Sequence, residues 1–247
     1  MPKTTSQNFP TKLFIAASLA TFILFAFFWF LVRTNFVTNN SDRQAVSGDK
    51  YYLNENYEEK DPFITKVPDL KDMLAGPIIS QADPALGSDN APITIVEFSD
   101  YECEFCQKQE QALKQIIDKY EGKIKLIWKD YPEKDENSIS FQAAVSARCA
   151  REQNQFWPYH DLLYENSQNL SQEKFLELAS DLNLDINQFN ECLAGENAKN
   201  LVRDNMEEAN ALDISGIPFI FVNDQEVMGE ISLEELERMV NIELNDS

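Results

Sequence analysis

The chain is poor in histidine and in positive charge. His160 is its only histidine among 247 residues, which leaves little room for histidine-based catalysis or for a histidine-rich metal centre. Lysine and arginine together number 21 against 42 aspartates and glutamates, which gives a formal net charge of −21. A surface of this charge repels nucleic acid and anionic lipid, so we expect neither as a ligand. We interpret the acidity as a solvated surface that keeps the protein soluble.

Cysteine is also scarce, but its four copies have an informative arrangement. An even number of cysteines is expected of a protein in an oxidising compartment. Zinc needs four ligands, usually in two closely spaced pairs. Cys103 and Cys106 form one such pair, whereas Cys149, His160 and Cys192 are single and distant in the sequence. We therefore predict neither a metal nor an organic cofactor, although an inert structural disulfide at Cys103 and Cys106 stays open.

One long apolar segment, residues 13–32, contains no charged side chain. Its length of about 20 residues suits a helix that spans a bilayer. A removable signal peptide would have a shorter apolar core and a small residue at its cleavage site, whereas this segment ends in Phe27-Phe-Trp-Phe-Leu-Val32. We predict a short tail at residues 1–12 and an uncleaved, single-pass membrane anchor at 13–32. The remainder would face the extracytoplasmic side, where disulfides persist; a cleaved signal and a cytosolic orientation are the alternatives.

Behind this segment, the sequence divides into a polar stretch and a globular one. Residues 33–76 are rich in Asn, Asp, Glu, Lys and Tyr without a sustained apolar period, which predicts a polar linker. Residues 77–247 are predicted to form one domain in the order β-α-β, a helical insertion at about 135–213, and β-β-α. Side-chain caps mark the starts of three predicted helices: Ser171, Asp185 and, in a capping box with Glu235, Ser232.

The motif Cys103-Glu-Phe-Cys106 lies where a predicted strand passes into a predicted helix. The residues before it are mostly β-branched or aromatic and indicate a buried strand, while the apolar spacing from Phe105 to Ile117 is typical of a helix. Positions i and i+3 share a helix face, so the two sulfurs can close a disulfide. Unpaired amides and the positive end of the helix dipole favour a thiolate on Cys103. The motif therefore predicts redox chemistry.

This order of elements, with C-x-x-C at the first strand-to-helix junction, resembles the thioredoxin fold. More narrowly it resembles the DsbA-like thiol:disulfide oxidoreductases, whose fold carries a helical insertion at this point. The resemblance is carried by three segments: Val96-Glu-Phe-Ser-Asp-Tyr-Glu-Cys-Glu-Phe-Cys106, Cys149-Ala-Arg-Glu-Gln-Asn-Gln-Phe-Trp-Pro-Tyr-His-Asp161 and Gly216-Ile-Pro-Phe-Ile-Phe-Val-Asn223. The fold class that follows is α/β, a thioredoxin-like fold with an inserted all-helical subdomain, preceded by one N-terminal transmembrane helix.

The resemblance also implies roles for residues at the motif. Cys103 would be the exposed, reactive sulfur, and Cys106 its more buried partner. Glu97 stands before the motif at the position of the buried acid of the family. A carboxyl group there would carry protons to and from Cys106, which apolar surroundings otherwise keep protonated.

A second set of roles concerns the substrate. Pro218 matches the cis-proline of the family, which faces the active sulfurs. The backbone of Ile217 would be exposed there, so that a substrate peptide pairs with it as an added strand. We also assign Phe105, between the two cysteines, to substrate binding.

Cys149 and Cys192 lie on apolar faces of separate predicted helices, where the family often has a second cysteine pair. The resemblance implies a structural disulfide between them, while two free buried thiols and a second redox couple are the alternatives. We interpret His160, near the start of a predicted helix, as a packing residue rather than a proton donor.

The dipeptide Glu104-Phe105 between the cysteines departs from the Pro-His of the strongest oxidants in the family. A glutamate beside the sulfurs opposes a thiolate, so we expect a less depressed pKa for Cys103 and a milder oxidant. The resemblance implies an extracytoplasmic oxidoreductase that introduces disulfides into reduced exported proteins and is reoxidised by a redox partner in the membrane. A membrane-fed reductase or isomerase is the alternative on the same fold, and a non-enzymatic chaperone or binding module is the alternative of another class.

Overall fold

Two parallel strands, β2 and β3, form the centre of the sheet. β2 spans Ile93–Ser99 and β3 spans Ile124–Asp130, and all but one residue of each strand are buried. Their apolar side chains are largely β-branched or aromatic, which suits a strand covered on both faces. The register places Glu97 opposite Trp128.

The structure is a computed structural model, and it describes residues 74–246.

The described residues form a five-stranded sheet and seven α-helices around it. The strands, in the spatial order β1-β3-β2-β4-β5, are β1 Ala85–Gly87, β2, β3, β4 Phe219–Val222 and β5 Gln225–Met228. The helices are α1 Glu104–Lys119, α2 Ile139–Glu152, α3 Phe156–Glu165, α4 Gln172–Asp181, α5 Ile186–Ala194, α6 Asn197–Ala211 and α7 Leu233–Asp246, with a 3-10 turn at Ser167–Asn169. This is the predicted thioredoxin-like α/β fold with a helical insertion.

Strand β1 was not predicted from the sequence. It has three exposed residues and no alternating pattern, and only its antiparallel pairing with β3 defines it. Gly87 ends the strand with a φ of +102°, and a Cβ there would collide with the carbonyl oxygen of Ile124. Glycine is therefore required at this position.

Helix α1 packs on one face of the sheet through its apolar stripe. Leu113 and Ile116 of α1 pack in one buried cluster with Ile93 and Ile95 of β2 and with apolar residues of α7. The same side of α1 carries Cys106 in its first turn, fully buried. The redox motif is thus fixed to the sheet by the helix that it starts.

Glu97 belongs to the α1 face of β2. Side chains alternate along a strand, so Glu97 points to the same side as Ile93 and Ile95. Val96 and Phe98 point to the other side, where they pack in a cluster that includes residues of α6. The strand therefore directs a carboxyl group into an apolar interior beneath the redox helix.

The helix caps in and after the insertion follow the prediction closely. The Ser171 hydroxyl accepts a hydrogen bond from the first turn of α4, and the Asp185 carboxylate accepts two at the start of α5. Ser232 caps α7 by accepting from the backbone N–H of Glu235 at 3.2 Å. The Glu235 carboxylate, however, bonds to Arg238 instead of completing the predicted capping box.

Three predicted segments lie wholly or mainly outside the described residues: the tail at 1–12, the anchor at 13–32 and the linker at 33–76. Of the linker, only its last residues are described, and Leu74 and Gly76 are already buried. The packed part of the chain therefore begins upstream of Pro77. Between residues 74 and 246, the structure contains no helix with the length and apolar character of a membrane span.

A disulfide joins Cys149 of α2 to Cys192 of α5, across a sequence separation of 43. Such a bond restricts the unfolded chain, and a loop of this size is expected to add about 2–4 kcal/mol to the free energy of unfolding. We predict that replacing both cysteines with alanine lowers the free energy of unfolding by that amount, measured by urea denaturation without reductant. An unchanged denaturation midpoint would contradict the stabilising role.

Candidate active site

Cys103 is the N-cap residue of α1, and its position decides its chemistry. Its Sγ accepts a hydrogen bond from the backbone N–H of Cys106 at 3.1 Å. The free amides and the positive dipole end of the first turn favour negative charge on that sulfur. The N-cap geometry arises because Cys103 keeps an extended backbone, with φ −81° and ψ 114°, directly before the helix.

Cys103 and Cys106 form a disulfide, with their Cα atoms 5.2 Å apart. Cys103 is partly exposed, whereas Cys106 is fully buried in the core. An attacking thiolate from another protein therefore reaches only Cys103. Within the pair, Cys106 becomes the leaving sulfur.

The structure places the predicted cis-proline at the start of β4. The Ile217–Pro218 bond is cis, Pro218 is buried, and its carbonyl accepts a hydrogen bond from Gly229 at 2.7 Å. Ile217 is half-buried and packs against the same apolar cluster as Cys103. The reactive Cys103 and the predicted substrate-binding Ile217 thus border one cluster.

Two large apolar side chains near these elements are exposed to solvent. Phe105 is 58% exposed and Met228 is 61% exposed. The Met228 sulfur lies against Gly216, just before the cis bond. The sequence predicts Phe105 at the site but not Met228, because the alternation on β5 is a weak signal in a strand of only four residues.

The charge between the cysteines is partly compensated. The exposed Glu104 carboxylate accepts a hydrogen bond from Lys108 at 2.8 Å, and this contact lowers the pKa of Glu104. The same Lys108 ammonium lies 5.4 Å from the centre of the Phe105 ring. Glu104 therefore carries a negative charge that faces solvent, which weakens its effect on the Cys103 sulfur.

Glu97 is fully buried, as the resemblance implied. Among the described residues, neither of its carboxyl oxygens finds a hydrogen-bond donor. Burial raises the pKa of Glu97 well above its usual value, and the charge of its neighbour Glu110 raises it further. Both influences favour the protonated form of the Glu97 carboxyl group.

Two further residues belong to this buried group, and no local pattern in the sequence predicts that they meet. Glu110, one helical turn after Cys106, was not singled out. His160 was interpreted as a packing residue; it is 1% exposed, and its Nε2 lies 3.4 Å from Glu110 Oε1. A sequence separation of 50 hides this contact from any local pattern.

Comparisons with known proteins agree with this arrangement. A family model described as Thioredoxin matches residues 80–241. The probable disulfide bond formation protein D of Bacillus anthracis is 28% identical over 151 residues, which cover 56% of this chain and 69% of that protein. The structure of oxidised BdbD from Bacillus subtilis superposes with a TM-score of 0.59 and 24% identity, covering 67% of this chain and 94% of that one. The last likeness concerns the fold alone.

A further relative carries a different name. The Na(+)/H(+) antiporter NhaA 3 of Salinispora tropica is 31% identical over 167 residues, which cover 68% of this chain. The same residues cover only 26% of the antiporter, so the chain spans about a quarter of that protein's length. The match therefore concerns one region of the antiporter.

Proposed function

Because this chain belongs to the thioredoxin family and is a DsbA-like thiol-disulfide oxidoreductase by type, we propose that it introduces disulfides into exported proteins through Cys103 and Cys106. The observation that carries the proposal is the position of the Cys103 sulfur. It caps α1, accepts the Cys106 amide at 3.1 Å, and is the accessible half of a disulfide whose other half is fully buried. A structural disulfide has no need of such an exposed, amide-bonded sulfur.

The first step is attack by a substrate thiolate on the Sγ of Cys103. A substrate–Cys103 disulfide forms, the Cys103–Cys106 bond breaks, and Cys106 leaves as a thiolate. Because Cys106 is buried, its thiolate takes up a proton, and Glu97 is the acid that donates it. The Glu97 carboxyl group is suited to this role because burial and the nearby charge of Glu110 raise its pKa and favour its protonated form.

The second step releases the product. Another thiolate of the substrate attacks the substrate sulfur of the mixed disulfide, so that a disulfide forms in the substrate and Cys103 leaves as a thiolate. The N-cap position stabilises this leaving thiolate through the Cys106 amide. The substrate has lost two electrons, and the protein now holds the dithiol.

Substrate segments bind beside the cis-proline in this proposal. A peptide would pair with the backbone at Ile217 as an added strand, and the exposed side chains of Phe105 and Met228 would contact its apolar residues. These contacts are weak and unspecific, as suits an enzyme that acts on many unfolded chains.

The location and the reoxidation step complete the proposal. The uninterrupted apolar segment at 13–32 would anchor the protein in the cell membrane, with residues 77–247 on the extracytoplasmic side. A redox partner in the same membrane would take the two electrons from the dithiol. The apolar segment supports the first statement, and the family supports the second.

The reduction potential of the full chain in detergent tests the oxidising direction. We expect a value between about −120 mV, as in DsbA, and about −230 mV, because Glu104 disfavours the Cys103 thiolate of the reduced form. The potential is measured by equilibration with glutathione. The double variant Glu104→Pro/Phe105→His is the matched control and should move the value towards about −120 mV. A potential near the roughly −270 mV of thioredoxin would reject the oxidase and favour the membrane-fed reductase.

A further inference from the structure

We propose that Glu110 and His160 form a proton path that connects Glu97, and through it Cys106, with the protein surface. The inference rests on the proposed function, because thiol exchange at the cysteine pair is what creates the demand for a proton. Both are positioning residues, since they act through Glu97 and not on the sulfurs.

Glu110 is the first residue of the path. It follows Cys106 by four positions in α1, so the two side chains share a helix face and lie one turn apart. Its side chain is 16% exposed, and its Oε1 is buried without a hydrogen-bond donor. Its charge acts on the buried Glu97 carboxyl group and raises the pKa of that group. Glu110 thus lies between the buried acid and the outside.

His160 is the second residue, and its surroundings favour the imidazolium form. Its Nε2 faces Glu110 Oε1 at 3.4 Å, and its Nδ1 faces Asp161 Oδ1 at 3.2 Å, so each ring nitrogen has an acidic partner. Burial alone would lower the pKa of His160, but the charge of Glu110 and the contact with Asp161 outweigh burial and raise it to about 9.

Aromatic rings enclose His160 on its remaining sides. Ring centres lie 4.7–5.9 Å from the imidazole centre, and the rings belong to Trp128, Tyr164, Trp157, Tyr101 and Phe156. Aromatic faces attract a cation and exclude bulk water. A histidine that served only for packing would need no acidic partner at either ring nitrogen. The two carboxylates therefore favour a charged imidazole at this position.

The path ends in a small cavity at the surface. The cavity has a volume of about 120 Å³. Its lining includes Glu110, His160 and Asp161, together with Lys114 and Trp157. The lining is partly apolar, but its ionisable groups can hold a few water molecules, which supply protons from solvent. The ionisable groups around His160 and its cavity are Glu110, Lys114 and Asp118 of α1, Asp161 and Tyr164 of α3, Tyr101 before α1 and, beyond Glu110, Glu97 of β2.

The proton balance is simple. The Cys106 thiolate takes the proton of Glu97 and becomes a thiol, which leaves Glu97 as a carboxylate. Glu110 hands a proton from the His160 imidazolium to Glu97, and the imidazole takes another from the cavity water. The net change is one proton from solvent to Cys106 for each disulfide opened.

The pH range of the path follows from the sign of the shift. The folded-state pKa of His160 is raised from 6.5 to about 9, so the imidazolium of the folded protein persists through neutral pH and is lost as the pH rises through 9. The stability that the ion pair contributes is fully present below pH 6.5 and is lost as the pH rises through 9. The stored proton is therefore available at neutral and mildly alkaline pH and disappears above about pH 9.

The test is the rate at which dithiothreitol reduces the oxidised full chain between pH 6 and pH 10. At each pH the rate constant is divided by the concentration of dithiothreitol thiolate. We expect the wild-type rate constant to fall through an inflection near pH 9. In the His160→Gln and Glu110→Gln variants the inflection should vanish, and the rate at neutral pH should fall about tenfold or more, because general acid catalysis contributes about 10²–10⁴-fold.

Tyr159→Phe is the matched control. Tyr159 neighbours His160 in α3 and is also buried, but its hydroxyl bonds to the Phe175 carbonyl at 2.9 Å, away from Glu110. This variant loses a buried hydrogen bond, so it should be less stable while keeping the wild-type rate and inflection. It separates damage to the fold from damage to the path.

Two results would overturn the proton path. In the first, either variant keeps the wild-type rate and the wild-type inflection. In the second, either variant reacts more slowly but keeps the inflection, as expected when a residue serves only for packing. If His160→Gln does not fold, the partly exposed Glu110→Gln decides alone. A wild-type chain that does not exchange with thiols overturns the proposed function, whereas normal exchange with unaffected variants rejects only the path.

Discussion

The Cys103→Ser variant of the full chain should oxidise a reduced substrate protein no faster than buffer alone. The sulfur of Cys103 is the atom that forms the mixed disulfide, and a hydroxyl group cannot take part in thiol-disulfide exchange. Its partner Cys106 cannot replace it, because that side chain is fully buried. The measurement is the loss of free thiols in a reduced, unfolded substrate, with the oxidised chain supplied in excess.

The Cys106→Ala variant should behave differently from Cys103→Ser. It keeps the reactive sulfur but has no disulfide of its own, so its Cys103 thiolate must attack a disulfide already present in a substrate protein. A mixed disulfide forms, the second substrate sulfur leaves as a thiolate, and without the Cys106 thiol to attack Cys103 these covalent complexes should accumulate. Non-reducing gel electrophoresis detects these complexes, and reductant releases them. They would also identify the substrates of the enzyme.

The Cys149→Ala/Cys192→Ala variant is the matched control for both. Cys149 is 1% exposed and is bonded to Cys192 in the helical insertion, so we expect full exchange activity. Loss of activity in a folded control would favour a second redox couple at these positions. If neither the wild-type chain nor Cys103→Ser consumes substrate thiols, but both protect unfolded proteins from aggregation equally, the non-enzymatic chaperone or binding module would be favoured instead.

The redox junction was predictable because its signals are local. A run of β-branched and aromatic residues, a C-x-x-C motif and an amphipathic helix follow one another within about 25 residues, and each predicts its own element. The resulting N-cap position of Cys103 needs no distant contact. Burial of Glu97 and the cis bond before Pro218 were implied by the family resemblance alone, because no local pattern indicates either of them.

The proton path was not predictable in this way. Glu110 occupies a helix position that a pattern assigns to solvent, and only the fold brings it beside Glu97 and His160, which belong to other elements. The short strand β1 escaped for a related reason: its pairing with β3, about 40 residues away, defines it, while its own residues carry no pattern. Contacts between distant residues decide both cases.

A buried ion pair joins Arg148 and Asp130, and breaking it should cause a large loss of folding stability. Arg148 of α2 donates from Nε to Asp130 at 2.5 Å, and the two side chains are 1% and 0% exposed. Its other nitrogens donate to Asn205 of α6 at 2.6 Å and to the Ala82 carbonyl at 2.8 Å. Arg148 therefore joins the end of β3, the insertion and the segment before β1.

We predict that Arg148→Met lowers the free energy of unfolding by about 3–5 kcal/mol. Methionine fills much of the same space, but it leaves the Asp130 carboxylate buried without a cation. The expected loss is the cost of that uncompensated charge, not the net contribution of the pair. Urea denaturation of the full chain measures this loss of stability. If the dependence of the unfolding free energy on urea concentration is unchanged, the variant and the wild type expose the same amount of surface on unfolding.

The double variant Arg148→Met/Asp130→Asn separates charge from packing. If the unpaired Asp130 carboxylate causes the loss of stability, replacing it with an amide should restore part of that stability. The recovery should be partial because the Asp130 carboxylate also accepts a hydrogen bond from Trp128 Nε1 at 2.7 Å. A double variant no more stable than Arg148→Met would assign the loss to packing. Arg203→Met is the surface control: Arg203 bonds to Glu136 at 2.7 Å and 2.8 Å in an exposed pair, and its loss should change the stability far less.

This ion pair also lies next to the active site, which gives the variant a second readout. Asp130 fixes the Trp128 indole, and that ring stacks on Tyr101, two residues before Cys103, at 5.0 Å, and meets His160 edge-on at 4.7 Å. A looser Trp128 should therefore disturb the enclosure of His160 before the fold is lost. We expect Arg148→Met to shift the pH inflection of thiol exchange at temperatures where the variant is still folded. An unmoved inflection would show that the ring enclosure does not depend on the ion pair.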